Sequence, residues 1–304
     1  MKRLKNSHML VIVVVVFSLF SFVAMTSAVD TPIQENVFAE KGFIHILGPN
    51  PAIMTGDEDA WDGWNLESAD IIKDKNTYYW YYHVRGMKER DNIQKGYKTG
   101  KREHPRGYRL AVATAPTPLG PWTKYENNPI LDYGPLDTWD GWGNACATVL
   151  RARESGEGDS EKYYMFYNNY GGEKRGVGLA TAPHPLGPWT RYEGNPIVEW
   201  SGGWLCSVME VDGKLHMYHG GNGIPFSLAT ALKPEGPWTM YEHNPLITRG
   251  DWSAWDDGGH SEAKVLYREG VFHLFYGGGS PYGPFVSIGY AYSFDGYNWI
   301  RYSG

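Results

Sequence analysis

"ATAPTPLGPWTKYENNPIL" (113–131) decides the fold, because the chain writes it again as "ATAPHPLGPWTRYEGNPIV" (180–198) and "ATALKPEGPWTMYEHNPLI" (229–247). A weaker copy, "AYSFDGYNWIRYSG" (291–304), ends the sequence, and "LGPNPAIM" (47–54) has the form of the tail of another. The matching tryptophans Trp122, Trp189, Trp238 and Trp299 lie 67, 49 and 61 residues apart. Self-similarity at such a period means that one supersecondary unit is repeated along the chain.

Each unit follows the same order. A strand-like run such as "ADIIKD" (69–74) meets a short polar turn and then an aromatic strand, "TYYWYYHV" (77–84). A third run, "YRLAVATA" (108–115), enters the Gly-Pro turn, and "PWTKYE" (121–126) closes the unit. The pairs "ATVLRA"/"KYYMFYNN", "CSVMEV"/"KLHMYHGG" and "AKVLYRE"/"VFHLFYGG" repeat the pattern. No segment of useful length has helical periodicity. Four antiparallel strands per unit make an all-β chain of propeller blades. Four units lie between Phe43 and Gly304, and with the initial "GPNP" as the end of another they predict a five-bladed propeller whose last blade is incomplete. A closed four-bladed ring is the alternative.

The N-terminus reads as a signal peptide over 1–28: Lys2, Arg3 and Lys5, the apolar run Met9 to Met25, then the small residues Thr26-Ser27-Ala28. The expected order is signal peptide, a linker over 29–42 and the propeller over 43–304, in a secreted protein with no stable membrane insertion after cleavage. Removing residues 1–28 takes the formal charge from −6 to −9. An acidic domain without a basic stripe argues against nucleic acid as a partner. Cys146 and Cys206 are the two cysteines, too few for a disulfide scaffold. Thirteen tryptophans and 22 tyrosines suit sugar rings, whose apolar faces stack on aromatic ones. An oligo- or polysaccharide is the expected partner.

Before the first strand, three units align without a gap: "WDGWNLESADI" (61–71), "WDGWGNACATV" (139–149) and "WDDGGHSEAKV" (255–265). The shared Trp-Asp pairs, with Asp62, Asp140 and Asp256, read as scaffold. The differences carry more information. Leu66, Asn144 and His260 share one column, and Ser68, Cys146 and Glu262 another, so the repeat itself demands neither His260 nor Glu262. Inner strands of a propeller start at one mouth of the central channel, which would bring Glu67, Asp70, Asn144, His260 and Glu262 to one funnel. Trp64, Trp142 and Trp252 are candidate walls and sugar-stacking surfaces. No Cys/His spacing suggests zinc.

On these repeats and on "TYYWYY" and "FHLFY", the chain resembles the five-bladed propeller glycoside hydrolases of families 43, 32, 62 and 117, and family 43 most of all. The resemblance implies an inverting glycosidase of plant or algal saccharides with a base at the start of the first inner strand, a second acid that tunes it, and a proton donor on a later inner strand. Glu262 in "SEAKVLYREGVFHLFY" matches the donor. Glu67 or Asp70 matches the base, without the Asp-Pro context of family 43, and Asp140 the tuning residue. Family 117 uses a histidine as acid, which makes His260 a rival to Glu262. Some relatives hold a channel Ca²⁺, but no ligand loop indicates one here, and no cofactor is required. The alternative function is a non-catalytic carbohydrate-binding propeller.

Overall fold

The computed structural model describes residues 35–38, 43–46, 52–88, 107–153, 161–170, 175–200, 203–221, 224–251, 254–279 and 287–302. The expected signal peptide and Trp252 lie outside them. The fold is all-β. Its four blades are β3 (Asn65–Asp74), β4 (Thr77–Arg85), β5 (Arg109–Ala115) and β6 (Thr123–Lys124); β7 (Asn144–Arg153), β8 (Glu161–Asn169), β9 (Arg175–Ala182) and β10 (Thr190–Arg191); β12 (Trp204–Val211), β13 (Lys214–Gly221), β14 (Ile224–Ala231) and β15 (Thr239–Met240); and β16 (His260–Arg268), β17 (Val271–Gly278), β18 (Ser287–Ser293) and β19 (Ile300–Arg301). β11 (Val198–Trp200) adds to the second blade by pairing with β9.

The expectation of five blades is corrected to four among the described residues. β1 (Glu35–Phe38), inside the stretch read as linker, and β2 (Phe43–Ile46) pair with each other, and among the described residues they extend no blade. The last blade has its four strands.

The repeated motif explains itself in the structure. In each "NP" turn the Asn side chain imitates a strand. Asn128 accepts from Val112 N at 2.9 Å and donates to Val112 O at 2.9 Å. Asn195 does the same with Leu179, and Asn244 with Leu228. The tryptophans of the repeat wedge the blades apart: Trp189 and Trp238 of "GPW" meet Tyr81 and Phe166 edge-on, and Trp299 of the weaker copy meets Tyr218, each reaching the second strand of the preceding blade. Trp122 packs on Trp80 of its own blade instead.

Each Trp-Asp pair anchors its own blade. Buried Asp62 bonds Lys124 at 2.5 Å, Asp140 bonds Arg191 at 2.7 Å, and Asp256 lies 3.7 Å from Arg301, all on outermost strands. The third blade has no Trp-Asp before β12 and carries Met240 at the place of the cation, so both partners of the pair are missing together. Gly56, Gly134 and Gly250 make room for these carboxylates, since a Cβ at any of them would lie 2.1–2.2 Å from the Asp oxygen.

A belt of side chains joins the inner strands. Asp70 on β3 accepts from Val149 N on β7 at 2.9 Å, and Ser207 on β12 accepts from Val265 N on β16 at 2.9 Å. Lys264 on β16 donates to Asp70 at 2.5 Å and so links the fourth blade to the first. All four inner strands carry a register break beside this belt, at Ser68/Asp70, Ala145/Thr148, Leu205/Ser207 and His260/Ala263. Bulges of this kind re-aim the side chains ahead of them, which here are those at the strand starts.

Candidate active site

Glu67 stands at the start of β3, half-buried, and its carboxylate accepts three hydrogen bonds. Asn65 Nδ2 donates to Oε1 at 2.8 Å, His83 Nε2 to Oε2 at 3.0 Å, and the Tyr108 hydroxyl to Oε1 in a short bond. An ionised carboxylate only accepts, so the His83 ring carries its proton on Nε2. Burial alone would push the carboxyl up, but the His83 bond and charge, with the Tyr108 and Asn65 bonds, bring its pKa from 4.5 to about 2. Burial and then the Glu67 charge push the Tyr108 hydroxyl far above its usual range, so it stays a donor.

This network predicts an acid limb in stability. A carboxyl with a depressed folded pKa stabilises the fold above its unfolded value, near 4.5, and loses that contribution as pH falls through about 2. Glu67→Gln is expected to cost about 2 kcal/mol at pH 7, after allowing for solvent screening, and almost nothing near pH 2. Thermal melts of both proteins across that range check it; parallel curves would contradict it.

Around Glu67 the mouth is aromatic. Tyr108 meets His83 at 4.6 Å between ring centroids and Tyr170 at 5.0 Å, both edge-on. Tyr170 stacks parallel on Trp204 of the third blade at 6.1 Å. Arg85 lies over Trp64 at 4.4 Å and over Tyr108 at 4.2 Å, and Arg175 lies over Trp204 at 5.4 Å.

Glu262 is exposed on β16, with the Ser261 hydroxyl bonded to its Oε2. Cys146 lies in the second blade's inner strand. Burial raises that thiol well above its usual range, and the charges of Glu67 and Glu262 both add to the rise. Cys146 sits at φ 51° in the β7 register break, a left-handed backbone that a side chain rarely adopts without a local reason. Both cysteines are free thiols.

The other sequence candidates are placed elsewhere. Asp70 is buried in the inner belt, its oxygens taken by Ile71 N, Val149 N and Lys264. Asp140 faces the outer strand of its blade through Arg191 and Tyr167. His260 is 1% exposed, stacked on Phe226 at 4.8 Å and 3.4 Å from Asp256, and burial lowers its pKa. It lines a cleft of about 280 Å³ with Ile224, Pro225, Thr248, Arg249 and Gly259. Asn144 is buried and bonds Asp132 O. Trp142 is half-buried and accepts Gly107 N at its carbonyl, while Trp64 stays with the mouth. Among the described residues no three His, Cys, Asp or Glu side chains gather as a metal site.

The sequence leaves His83, near a strand end, open between a rim contact and plain packing, and it points to none of Arg85, Tyr108, Tyr170, Arg175 and Trp204. One signal was available: where the other blades carry Asn168, Gly220 and Gly277 in the second strand, the first carries His83. That is the same kind of departure from the repeat that singled out Glu262.

No family model and no curated protein matches the chain. Solved structures do. A family 117 glycoside hydrolase from the marine bacterium Zobellia galactanivorans is 18% identical, with TM-score 0.58 over 81% of this chain and 72% of that one. A glycosyl hydrolase from Bacteroides ovatus is 18% identical, with TM-score 0.60 over 84% and 78%. A thermostable family 43 glycoside hydrolase is 18% identical, with TM-score 0.53 over 85% and 76%. At that identity the likeness is one of fold alone, and the fold shared with these glycoside hydrolases is a β-propeller.

Proposed function

We propose that the protein is an exported glycoside hydrolase of plant or algal oligosaccharides that works by acid/base catalysis with inversion. The observation that carries this reading is the state of Glu67: a carboxylate held ionised by three donors in an aromatic mouth, with a second carboxylate, Glu262, exposed near the start of the fourth blade's inner strand. Hydrolysis needs an ionised group and a proton donor together. Glu262 in its acid form gives a proton to the glycosidic oxygen as the bond to the anomeric carbon breaks. Water attacks that carbon from the opposite face and passes its proton to Glu67. With a pKa of about 2, Glu67 is a weak base. Its larger contributions are to hold the water and to offset the positive charge that develops on the sugar ring. An inverting pair stands about 6.5–9.5 Å apart, a span suited to carboxylates on strands of different blades.

The test is sugar release from arabinan, xylan, fructan and agar oligosaccharides by wild type and Glu262→Gln, both shown to melt cooperatively. Wild type is expected to release sugar from one of them, and Glu262→Gln to lose about 10²–10⁴-fold. A proton donor matters little for a leaving group that departs as a stable anion. The variant should therefore keep most of its rate on a dinitrophenyl glycoside of the same sugar. Equal losses on both substrates would remove Glu262 from the donor role. Binding without release by folded wild type would instead establish a carbohydrate-binding propeller.

A further inference from the structure

We infer that the mouth binds a sugar carrying an anionic oxygen group, a uronate carboxylate or a sulfate ester, and that Arg85 and Arg175 hold that group; this rests on the reading of the mouth as a saccharide site. Other half-buried arginines of the fold neutralise carboxylates: Arg109 with Asp132 at 3.1 Å, Arg191 with Asp140 at 2.7 Å, Arg268 with Glu269 at 3.1 Å. Among the described residues Arg85 and Arg175 bond none. They are held by ring faces.

Arg85 is caged by Trp64, Tyr108 and Tyr170, reaches only the Tyr170 hydroxyl at 3.5 Å, and has no partner at Nε. Arg175 lies on Trp204. Neither forms an ion pair with Glu67 among the described residues, and the bonds of Glu67 go to Asn65, His83 and Tyr108.

A guanidinium stacked on a ring is fixed in orientation but keeps the N–H donors at its edge. That planar fork suits two oxygens of a carboxylate or sulfate. Between the two guanidiniums lies the parallel Tyr170–Trp204 pair, with rings 6.1 Å apart. Charge therefore flanks aromatic surface. An oligosaccharide with apolar ring faces and an anionic substituent has matching features.

Calorimetric titration in the Glu262→Gln background, where turnover does not consume the ligand, tests the inference with trigalacturonate, a sulfated galacto-oligosaccharide, xylotriose and inorganic phosphate. One of the two acidic oligosaccharides is expected to bind about tenfold or more tighter than xylotriose at low salt, and which one names the anion. The advantage should shrink as salt rises. Arg175→Gln should remove it, lowering affinity for the acidic sugar at least about tenfold more than affinity for xylotriose. Arg85→Lys, which keeps the charge and loses the fork, should reduce it too.

Equal affinity for neutral and acidic sugars would overturn the inference, as would an acidic preference untouched by either variant. So would arginine-dependent binding of phosphate with none of the acidic sugars. The two readings fail separately. Tight acidic binding without release by wild type sinks the hydrolase and keeps this inference. Release from neutral sugars with no acidic preference does the reverse.

Discussion

Glu67→Gln is expected to lower sugar release by about 10³-fold or more while the protein stays folded at neutral pH. The amide matches the carboxylate in shape and keeps one acceptor for Tyr108 or His83. It removes the negative charge that the three donors hold in place, and with it the site for the proton of the attacking water. The loss should fall on kcat, because the charge matters most as the sugar ring becomes positive. A variant that raised only KM would place Glu67 in substrate binding. His83→Ala gives a companion result: with one donor gone, the Glu67 pKa rises toward its ordinary value and the acid limb of the rate profile moves up with it.

The second large effect belongs to Asp70. Its carboxylate joins three blades by accepting from Val149 N and Lys264 while it sits on the first inner strand. Asp70→Ala is expected to cost about 3–5 kcal/mol, since it strands a half-buried ammonium and a backbone donor in the inner belt. A pairing change should recover much of this: Asp70→Leu with Lys264→Met leaves no unpaired charge, and the double variant should be more stable than Asp70→Leu alone. Denaturant midpoints decide the matter. A folded Asp70→Asn protein of wild-type stability that had lost sugar release would assign Asp70 to the chemistry and remove it from the fold.

Much of the architecture was legible in the residues. The "GPW…NP" repeat located the outer strands because its parts have fixed jobs, the Asn as a side-chain strand and the Trp as a wedge. Repetition also sorted Trp-Asp into the scaffold. What it could not convey was pairing across the axis. Asp70 and Glu67 stand three residues apart in one strand, and the register break between Ser68 and Asp70 separates their surroundings, one a clamp and the other a mouth. His260 and Glu262 stood out together as departures from the repeat. Phe226, from another blade, settles one of them in the interior, and Glu262 remains exposed. The blade count depended on "GPNP", a fragment of motif, and the hairpin just before it pairs with itself. Arg85, Tyr108, Tyr170 and Trp204 come from three blades, and spacing along the chain carries no trace of their meeting.

On the proposed mechanism Glu67 serves the water that attacks the sugar, and azide rescue of Glu67→Gly on an aryl glycoside of the released sugar is the measurement to make. Azide needs no base and fits the space the side chain leaves, so turnover should return with a glycosyl azide of inverted anomeric configuration by proton NMR. A folded Glu67→Gly that azide cannot revive, or a product of retained configuration, would contradict it.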